Sequence, residues 1–177
     1  DGYPSMQRSL QKMIRNRLTS VQRIEVANDR MEGQDVVSTV LRADAEKLRQ
    51  TEELLDRQEF AKAVQAILDT DRVYILGVRS AAPLANFLGY YLNYMSTNIH
   101  VVTTSGEGEM FEKIVAIKPD DVVIAISFPR YSSATVKAAQ YCRAAGATVI
   151  GLTDSRLSPL GQNADYVLEA KSDMVSL

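Results

Sequence analysis

The stretch VVIAISFPRYS occupies residues 122–132. Its first five residues are apolar and mostly β-branched, which is typical of a strand buried on both faces of a parallel sheet. Four more apolar runs have this form, at residues 73–76, 99–102, 148–152 and 166–168. Helical patterns lie between the runs, at residues 81–96, 107–117 and 132–145. Strands that alternate with helices predict an α/β fold, in which a five-stranded parallel sheet is flanked by helices.

The part of the chain before the first strand predicts helices only. Apolar residues recur there every three or four positions, in stretches that contain Leu10, Met13, Ile14 and Leu18; Val37, Val40, Leu41, Ala45, Leu48 and Leu55; and Phe60, Val64, Ile67 and Leu68. Ser5 is the predicted N-cap of the first helix. We therefore divide the chain into a helical segment, residues 1–72, and an α/β domain, residues 73–177.

Composition excludes several classes of protein. Of 177 residues, 46% are apolar and 24% are charged, which is ordinary for a soluble globular protein. One cysteine and one histidine exclude a disulfide framework and a zinc site built from several such ligands. No apolar run approaches the ~20 residues that span a bilayer. No secretory signal opens the chain, so we expect a cytoplasmic protein without a membrane partner.

The glycine pattern speaks against a nucleotide cofactor. Arg79 stands in the Gly77-Val78-Arg79 turn where a dinucleotide fingerprint needs its second glycine. The phosphate-loop signature Gly-Lys-Ser/Thr does not occur, and the GEGE stretch at residues 106–109 is acidic. The sequence therefore predicts no cofactor.

The charge is uneven along the chain. Residues 1–23 contain five basic residues and one acidic residue, although the net charge of the whole chain is −2. A basic start is compatible with a nucleic-acid-binding edge and also with a solvated helix face. The sequence alone does not separate these two interpretations.

Hydroxyls, arginines and a glycine follow the predicted strands. Carboxyl ends of parallel strands share one edge of the sheet, where ligands bind near a switch in strand order. Helix N-termini, serine hydroxyls and guanidinium groups favour an anion there. The candidate ligand-binding residues are Gly77, Arg79, Ser80, Thr104, Ser105, Ser127, Arg130 and Ser132. Two alternatives stay open: Ser80, Ser132 and Ser158 cap helices, and the arginines pair with acids such as Glu107 or Asp154.

These motifs carry a resemblance to a known family. The stretches GVRS at 77–80, ISFPRYS at 126–132, AGATVIGLTDS at 145–155, SPL at 158–160 and ADYVL at 164–168 resemble a sugar isomerase (SIS) domain. More narrowly, the chain is similar to the effector half of RpiR-type bacterial transcription regulators. The resemblance implies a flavodoxin-like three-layer sandwich. It also implies that a helix-turn-helix domain, missing here, precedes residues 1–72, and that the SIS domain is truncated at its C-terminal end.

The resemblance also implies a type of ligand. In this family, serines in the loops after the first and third strands bind phosphosugars, and Ser80 and Ser127 stand at those positions. Ser132 matches the hydroxyl that opens the following helix. The sequence departs from the family where a glycine gives way to Arg79, and where Ser-x-Ser-Gly gives way to a sequence with Pro129 and Arg130. One hydroxyl is lost and two cations are gained, which favours a more anionic ligand.

We therefore expect the ligand-sensing domain of an RpiR-type regulator, and no enzyme. The expected partners are a small anionic effector such as a sugar phosphate, DNA through the missing N-terminal domain, and a second copy of the chain in a homodimer or higher homo-oligomer. The alternative is an SIS-family phosphosugar isomerase. An isomerase needs a base beside a carbonyl, and the candidates are His100, Glu107, Glu109 and Glu112. We interpret His100 as a packed strand residue and Cys142 as a core residue.

Overall fold

The computed structural model describes residues 35–95, 98–104 and 106–172. The chain divides into two compact units. Residues 50–171 form the unit that contains the sheet, and residues 1–49 with 172–177 form the other. The predicted helix around residues 10–18 and its cap Ser5 lie outside the described residues.

Helices alternate with strands from residue 73 onward. The helices are α1 (Val36–Leu54), α2 (Arg57–Asp69), α3 (Ala82–Leu92), α4 (Glu107–Ile114) and α5 (Ser133–Ala144). The strands are β1 (Val73–Leu76), β2 (Ile99–Val102), β3 (Val122–Ile126), β4 (Thr148–Thr153) and β5 (Tyr166–Glu169). Short 3-10 turns span Arg79–Ala81 and Gly161–Asn163. The α/β fold with helices before the sheet is confirmed.

All five strands are parallel and follow the order β2-β1-β3-β4-β5. The central strands β1 and β3 are buried at every residue. The prediction of burial on both faces is wrong for β2 and β5, where one residue in each strand is buried. These two strands are the edges of the sheet, so helices cover them incompletely.

Alternate residues of the strands belong to two hydrophobic cores, one on each face of the sheet. On one face, Tyr74, Leu76, Val123 and Val149 pack with residues of α4 and α5, namely Met110, Ile114, Ala138 and Cys142. On the other, Ile75, Ile124 and Ile150 pack with Ala63 of α2 and Ala85 of α3. The sheet therefore lies between two layers of helices. Burial raises the pKa of the Cys142 thiol to about 12, so the expected core position of Cys142 is confirmed.

Helix α2 is fixed to the edge strand β5. The Asp56 side chain caps the helix by accepting from the N–H groups of Gln58 and Glu59. The Glu59 carboxylate accepts from the Val167 N–H at 2.7 Å and pairs with the Arg156 guanidinium. Helix α2 thus packs on the sheet, although the sequence analysis assigns it to the helical segment, residues 1–72. The boundary at residue 72 stays a prediction. Among the described residues, no helix has both the length and the apolar character needed to cross a bilayer.

The contacts of Glu59 predict a pH-dependent stability. The hydrogen bond from Arg156 comes first among the causes that hold the pKa of this carboxyl below its ordinary value. A folded-state pKa below the unfolded one stabilises the fold above the unfolded pKa, and this is lost as pH falls through the folded pKa. We expect Glu59→Gln to lower stability by about 1–2 kcal/mol at pH 7 and by much less near pH 3. Thermal unfolding of both proteins from pH 7 to 3 tests this; a constant difference in Tm would contradict it.

Candidate functional site

The strand order places a crevice between the first loop, which follows β1, and the third loop, which follows β3. Strand β1 lies between β2 and β3, so the chain leaves β1 toward one edge of the sheet and later crosses over to build the other side. Loops at such a switch point diverge and leave room for a ligand. A cavity of about 100 Å³ lies here, lined by Val78, Arg79, Ser80, Ala81, Ile126, Ser127, Phe128, Pro129, Arg130 and Ser132.

Five of the eight candidate residues line this cavity, namely Arg79, Ser80, Ser127, Arg130 and Ser132. Gly77 does not; it is buried in the turn, where a Cβ atom would come within 2.9 Å of the Ala81 carbonyl oxygen. Thr104 does not line it either, because it follows β2 on the far side of β1. The Thr104 hydroxyl donates to the Glu109 carboxylate. Ser105 lies outside the described residues.

The first loop presents a serine hydroxyl that has no partner among the described residues. Ser80 is exposed in the 3-10 turn, and its hydroxyl makes no hydrogen bond to the described residues. Helix α3 begins after Ala81 without a side-chain cap, with Pro83 in its first turn. Helix capping therefore does not explain Ser80.

Two serines of the third loop accept hydrogen bonds from backbone N–H groups at the start of α5. The buried Ser127 hydroxyl oxygen accepts from the Ser132 N–H at 3.2 Å. The Ser132 oxygen accepts from the Thr135 N–H at 3.3 Å and caps α5. The Ser158 hydroxyl oxygen accepts from the Gly161 N–H at 2.9 Å, but the 3-10 turn at Gly161–Asn163 has Leu160 as its N-cap and no side-chain cap. Capping thus applies to Ser132 and not to Ser158, whereas Ser127 keeps a hydroxyl proton that it can donate.

A tyrosine ties the third loop to the end of β4. The Tyr131 hydroxyl donates to Oδ1 of the buried Asp154 at 2.7 Å. Burial, followed by this hydrogen bond, raises the pKa of Tyr131 far above its ordinary value, so the side chain stays neutral. Sequence reasoning missed this positioning contact, because nothing in the sequence connects two residues that lie 23 positions apart.

Both arginines of the cavity have left-handed backbone conformations. The φ angles are 57° at Arg79 and 70° at Arg130, and no other non-glycine residue in the described part of the chain has a positive φ. This conformation costs roughly 1–2 kcal/mol for a residue with a Cβ atom, and glycine usually takes it. Both side chains are exposed. Among the described side chains, which include that of Asp154, Arg79 forms no ion pair. The alternative in which the arginines pair with an acid stays a prediction.

Residues 66–176 match the family model of the SIS domain. The chain belongs to the SIS domain family. It is also similar to the crystal structure of the sugar isomerase domain of an RpiR transcription factor from Sphaerobacter thermophilus. Sequence identity is 32%, the TM-score is 0.74, and the match covers 79% of this chain and 78% of that one. The resemblance to RpiR-type regulators is confirmed.

Longer relatives of this SIS domain are named as regulators. A helix-turn-helix-type transcriptional regulator of Haemophilus influenzae is 29% identical over 126 residues, which is 71% of this chain and 43% of the relative. One from Clostridium perfringens is 24% identical over 169 residues, 95% of this chain and 60% of the relative. The chain spans about half the length of the curated relatives it matches. NanR of Vibrio vulnificus, solved with ManNAc-6P, shares the fold at 17% identity and a TM-score of 0.69, with 86% of this chain and 56% of that one covered.

A larger cavity of the SIS domain lies at the opposite edge of the sheet. It measures about 920 Å³, and its lining includes Asp69, Asp71, Asp120 and Asp121 together with the cationic Arg72 and Lys118. An excess of carboxylates disfavours an anionic ligand. His100 lines this cavity and is exposed, with its ring stacked on Tyr74 at 4.9 Å. The expectation of a packed strand residue is thus correct for the ring contact and wrong for burial, because β2 is an edge strand.

Proposed function

We propose that this SIS domain binds a phosphorylated sugar as the effector of a longer transcription regulator, whose DNA contacts lie in a separate helix-turn-helix domain. One observation carries the proposal: the cavity at the switch point combines serine hydroxyls with two arginines, and none of the described residues that line it is acidic. The regulators among its relatives and the NanR complex with ManNAc-6P support the same function.

The proposed binding mode follows from the size and chemistry of the cavity. Pockets for whole small molecules usually measure ~300–1,000 Å³, so a cavity of about 100 Å³ suits a phosphate group better than an entire sugar phosphate. The hydroxyls of Ser80 and Ser127 donate to the phosphate, and the guanidinium groups add charge-assisted hydrogen bonds. The sugar then extends outward past the rim.

We further propose that the domain senses its ligand without converting it. Sugar isomerisation needs a base that shuttles a proton beside a carbonyl, and the described residues that line the cavity include no carboxylate or imidazole. Glu109 is engaged by the Thr104 hydroxyl, which lowers the pKa of this carboxyl, and by Lys113. Phosphosugar isomerase is the second candidate function. Conversion of an aldose phosphate to a ketose phosphate, followed by NMR, would establish it.

The test of the proposed function is ligand-dependent stabilisation. A compound that binds only the folded state raises Tm, so a thermal-shift screen with glucose 6-phosphate, ribose 5-phosphate and N-acetylmannosamine 6-phosphate should yield at least one stabilising compound. The unphosphorylated sugars serve as controls. If no phosphorylated sugar raises Tm more than its unphosphorylated counterpart, the proposed function fails.

For the best compound in that screen, Arg130→Ala should weaken binding by roughly 1.5–3 kcal/mol, the range for a hydrogen bond to a charged group. The Tm of the free protein should change little, because Arg130 is an exposed rim residue. Calorimetry on Arg130→Ala and Ser80→Ala measures this. Arg57→Ala, which removes an exposed cation at the start of α2, controls for net charge. Unchanged affinity in both cavity variants would mean that Arg130 pairs within the protein and that the ligand binds elsewhere.

We also propose that the chain self-associates, and that α3 supplies the contact surface. The helix and its end expose the rings of Phe87, Tyr90, Tyr91 and Tyr94, each by more than half. Together these rings expose on the order of 500 Å², a large share of the ~800 Å² that each partner buries in a typical interface.

The sequence around α3 carries no charged side chain, because residues 80–99 contain no Asp, Glu, Lys or Arg. An uncharged surface can face its own copy across a two-fold axis without charge repulsion. Exposed apolar residues of α1 and α2, such as Leu41 and Leu68, are further candidate contacts.

A charge introduced into this surface should dissociate the oligomer. Tyr94→Glu puts a carboxylate on a residue that is 74% exposed, and across a two-fold axis two copies of the charge would be desolvated together. Light scattering at micromolar concentration should show a dimer or larger oligomer for the original chain and a monomer for Tyr94→Glu. Leu157→Glu, on a loop residue that is 81% exposed, is the control and should leave the mass unchanged. A monomeric original chain would contradict the proposal.

A further inference from the structure

The two left-handed arginines point to a more specific ligand than a simple sugar phosphate. Arg79 and Arg130 come from different loops, yet they line the same cavity and share the same strained backbone conformation. Glycine takes this conformation freely, and the chain uses glycine in this way after α5, where Gly146 has a φ of 93°. A turn alone would be served better by glycine at positions 79 and 130, so we infer that the side chains are retained for what they bind.

The cavity separates its polar groups into an inner and an outer set. Ser127 is 3% exposed and faces a cavity that holds about one phosphate group. The arginines are exposed, one in the loop after β1 and one in the loop after β3. Each guanidinium has five N–H donors, so an arginine that bonds the phosphate still has donors at the mouth, where the rest of the ligand lies. A neutral sugar would offer these remaining donors hydroxyl groups only.

We propose that Arg79 and Arg130 select a ligand with a second anionic group besides its phosphate, such as a sugar-acid phosphate or a sugar bisphosphate. The inference rests on the proposed function and deepens it. A carboxylate or a second phosphate at the mouth would accept from the planar guanidinium forks in a charge-assisted arrangement that a neutral hydroxyl cannot match.

The test uses two probes that differ mainly at one carbon. That carbon is the uncharged anomeric carbon of glucose 6-phosphate, which is mainly a pyranose ring, and it is a carboxylate in the open-chain 6-phosphogluconate; inorganic phosphate is the third probe. Calorimetry should show that the original chain binds 6-phosphogluconate roughly tenfold tighter than glucose 6-phosphate, or more. In the double variant Arg79→Gly/Arg130→Gly the two sugars should bind within about twofold of each other, while the Tm of the free protein rises because the strain is relieved.

The lysine variants Arg79→Lys and Arg130→Lys are the matched controls. They keep the charge and the Cβ atom, so they should retain part of the preference and should not gain stability. Equal binding of both sugars to the original chain, a preference that survives in the double glycine variant, or a fall in its Tm overturns this inference and leaves the proposed function standing. Absence of binding by glucose 6-phosphate, 6-phosphogluconate and phosphate overturns this inference. If no phosphorylated sugar of the thermal-shift screen binds either, the proposed function is overturned with it.

Discussion

Replacing Asp121 by alanine is expected to lower the free energy of unfolding by about 3–5 kcal/mol, the range for breaking a buried ion pair on one side. The Asp121 side chain is 7% exposed and that of Arg72 is 21% exposed. The Arg72 guanidinium donates Nε to Oδ1 at 2.9 Å and Nη2 to Oδ2 at 2.7 Å, and the Lys118 N–H donates to Oδ2 at 2.6 Å. Alanine would take the carboxylate away from the guanidinium and from a backbone donor at the amino ends of β1 and β3. The guanidinium would keep the Ala116 carbonyl oxygen, to which Nη2 donates at 3.2 Å, but no counter-charge in this cluster.

Urea unfolding measures this loss, and labelling of the buried Cys142 thiol reports opening of the core independently. Asp120→Ala removes an exposed carboxylate one position away and serves as the control. The double variant Arg72→Met/Asp121→Ala should lose less stability than Asp121→Ala alone, because the uncompensated cation is gone. A loss below about 1 kcal/mol in Asp121→Ala would place this pair with ordinary surface ion pairs and contradict the expectation.

Gly77→Val is expected to damage both the fold and the site. A Cβ atom at residue 77 would come within 2.9 Å of the Ala81 carbonyl oxygen and 3.0 Å of the Ala85 Cβ, and valine adds two methyl groups. Overpacking of this kind costs ~1–3 kcal/mol or more. Because Arg79 and Ser80 follow two and three positions later, displacement of the turn moves both side chains. We therefore expect a fall in Tm and a loss of phosphosugar affinity of at least ~10-fold, the equivalent of one hydrogen bond to a charged group.

Gly108→Val is the matched control for this second prediction. A Cβ atom at Gly108 has no neighbour within 4 Å, and valine is a better helix former than glycine. The control should keep both Tm and affinity, because it adds the same side chain without a collision. If Gly77→Val bound phosphosugar as tightly as the original chain, the first loop would not position the ligand.

The fold was largely predictable because parallel strands need apolar residues on both faces. This is why the apolar runs at 73–76, 99–102 and 122–126 begin and end at the same residues as strands β1, β2 and β3. The outer strands were misjudged, since a short apolar run does not show where its strand lies in the sheet. The first of the intervening helices ends early: the helix expected to reach residue 96 ends at Leu92, where the Asn93 amide donates to the Gly89 carbonyl at 2.7 Å.

The cavity was predictable in outline because the carboxyl ends of parallel strands share an edge. The strand order was not, and it separates the loop that contains Thr104 from the loops of Ser80 and Ser127. Arginine is not a residue type that predicts a left-handed backbone, so the sequence does not indicate the strain at Arg79 and Arg130. Only the three-dimensional structure shows that both residues have positive φ angles.

The single cysteine of this chain has a practical consequence. Cys142 is fully buried and its thiol stays protonated at neutral pH, so thiol-directed dyes should not react with the folded chain. A cysteine placed next to a lining residue of the cavity, for example by Ser133→Cys one position after Ser132, would then be the one reactive thiol. An environment-sensitive fluorophore attached there would convert the domain into an optical sensor for its effector, without prior removal of the native cysteine.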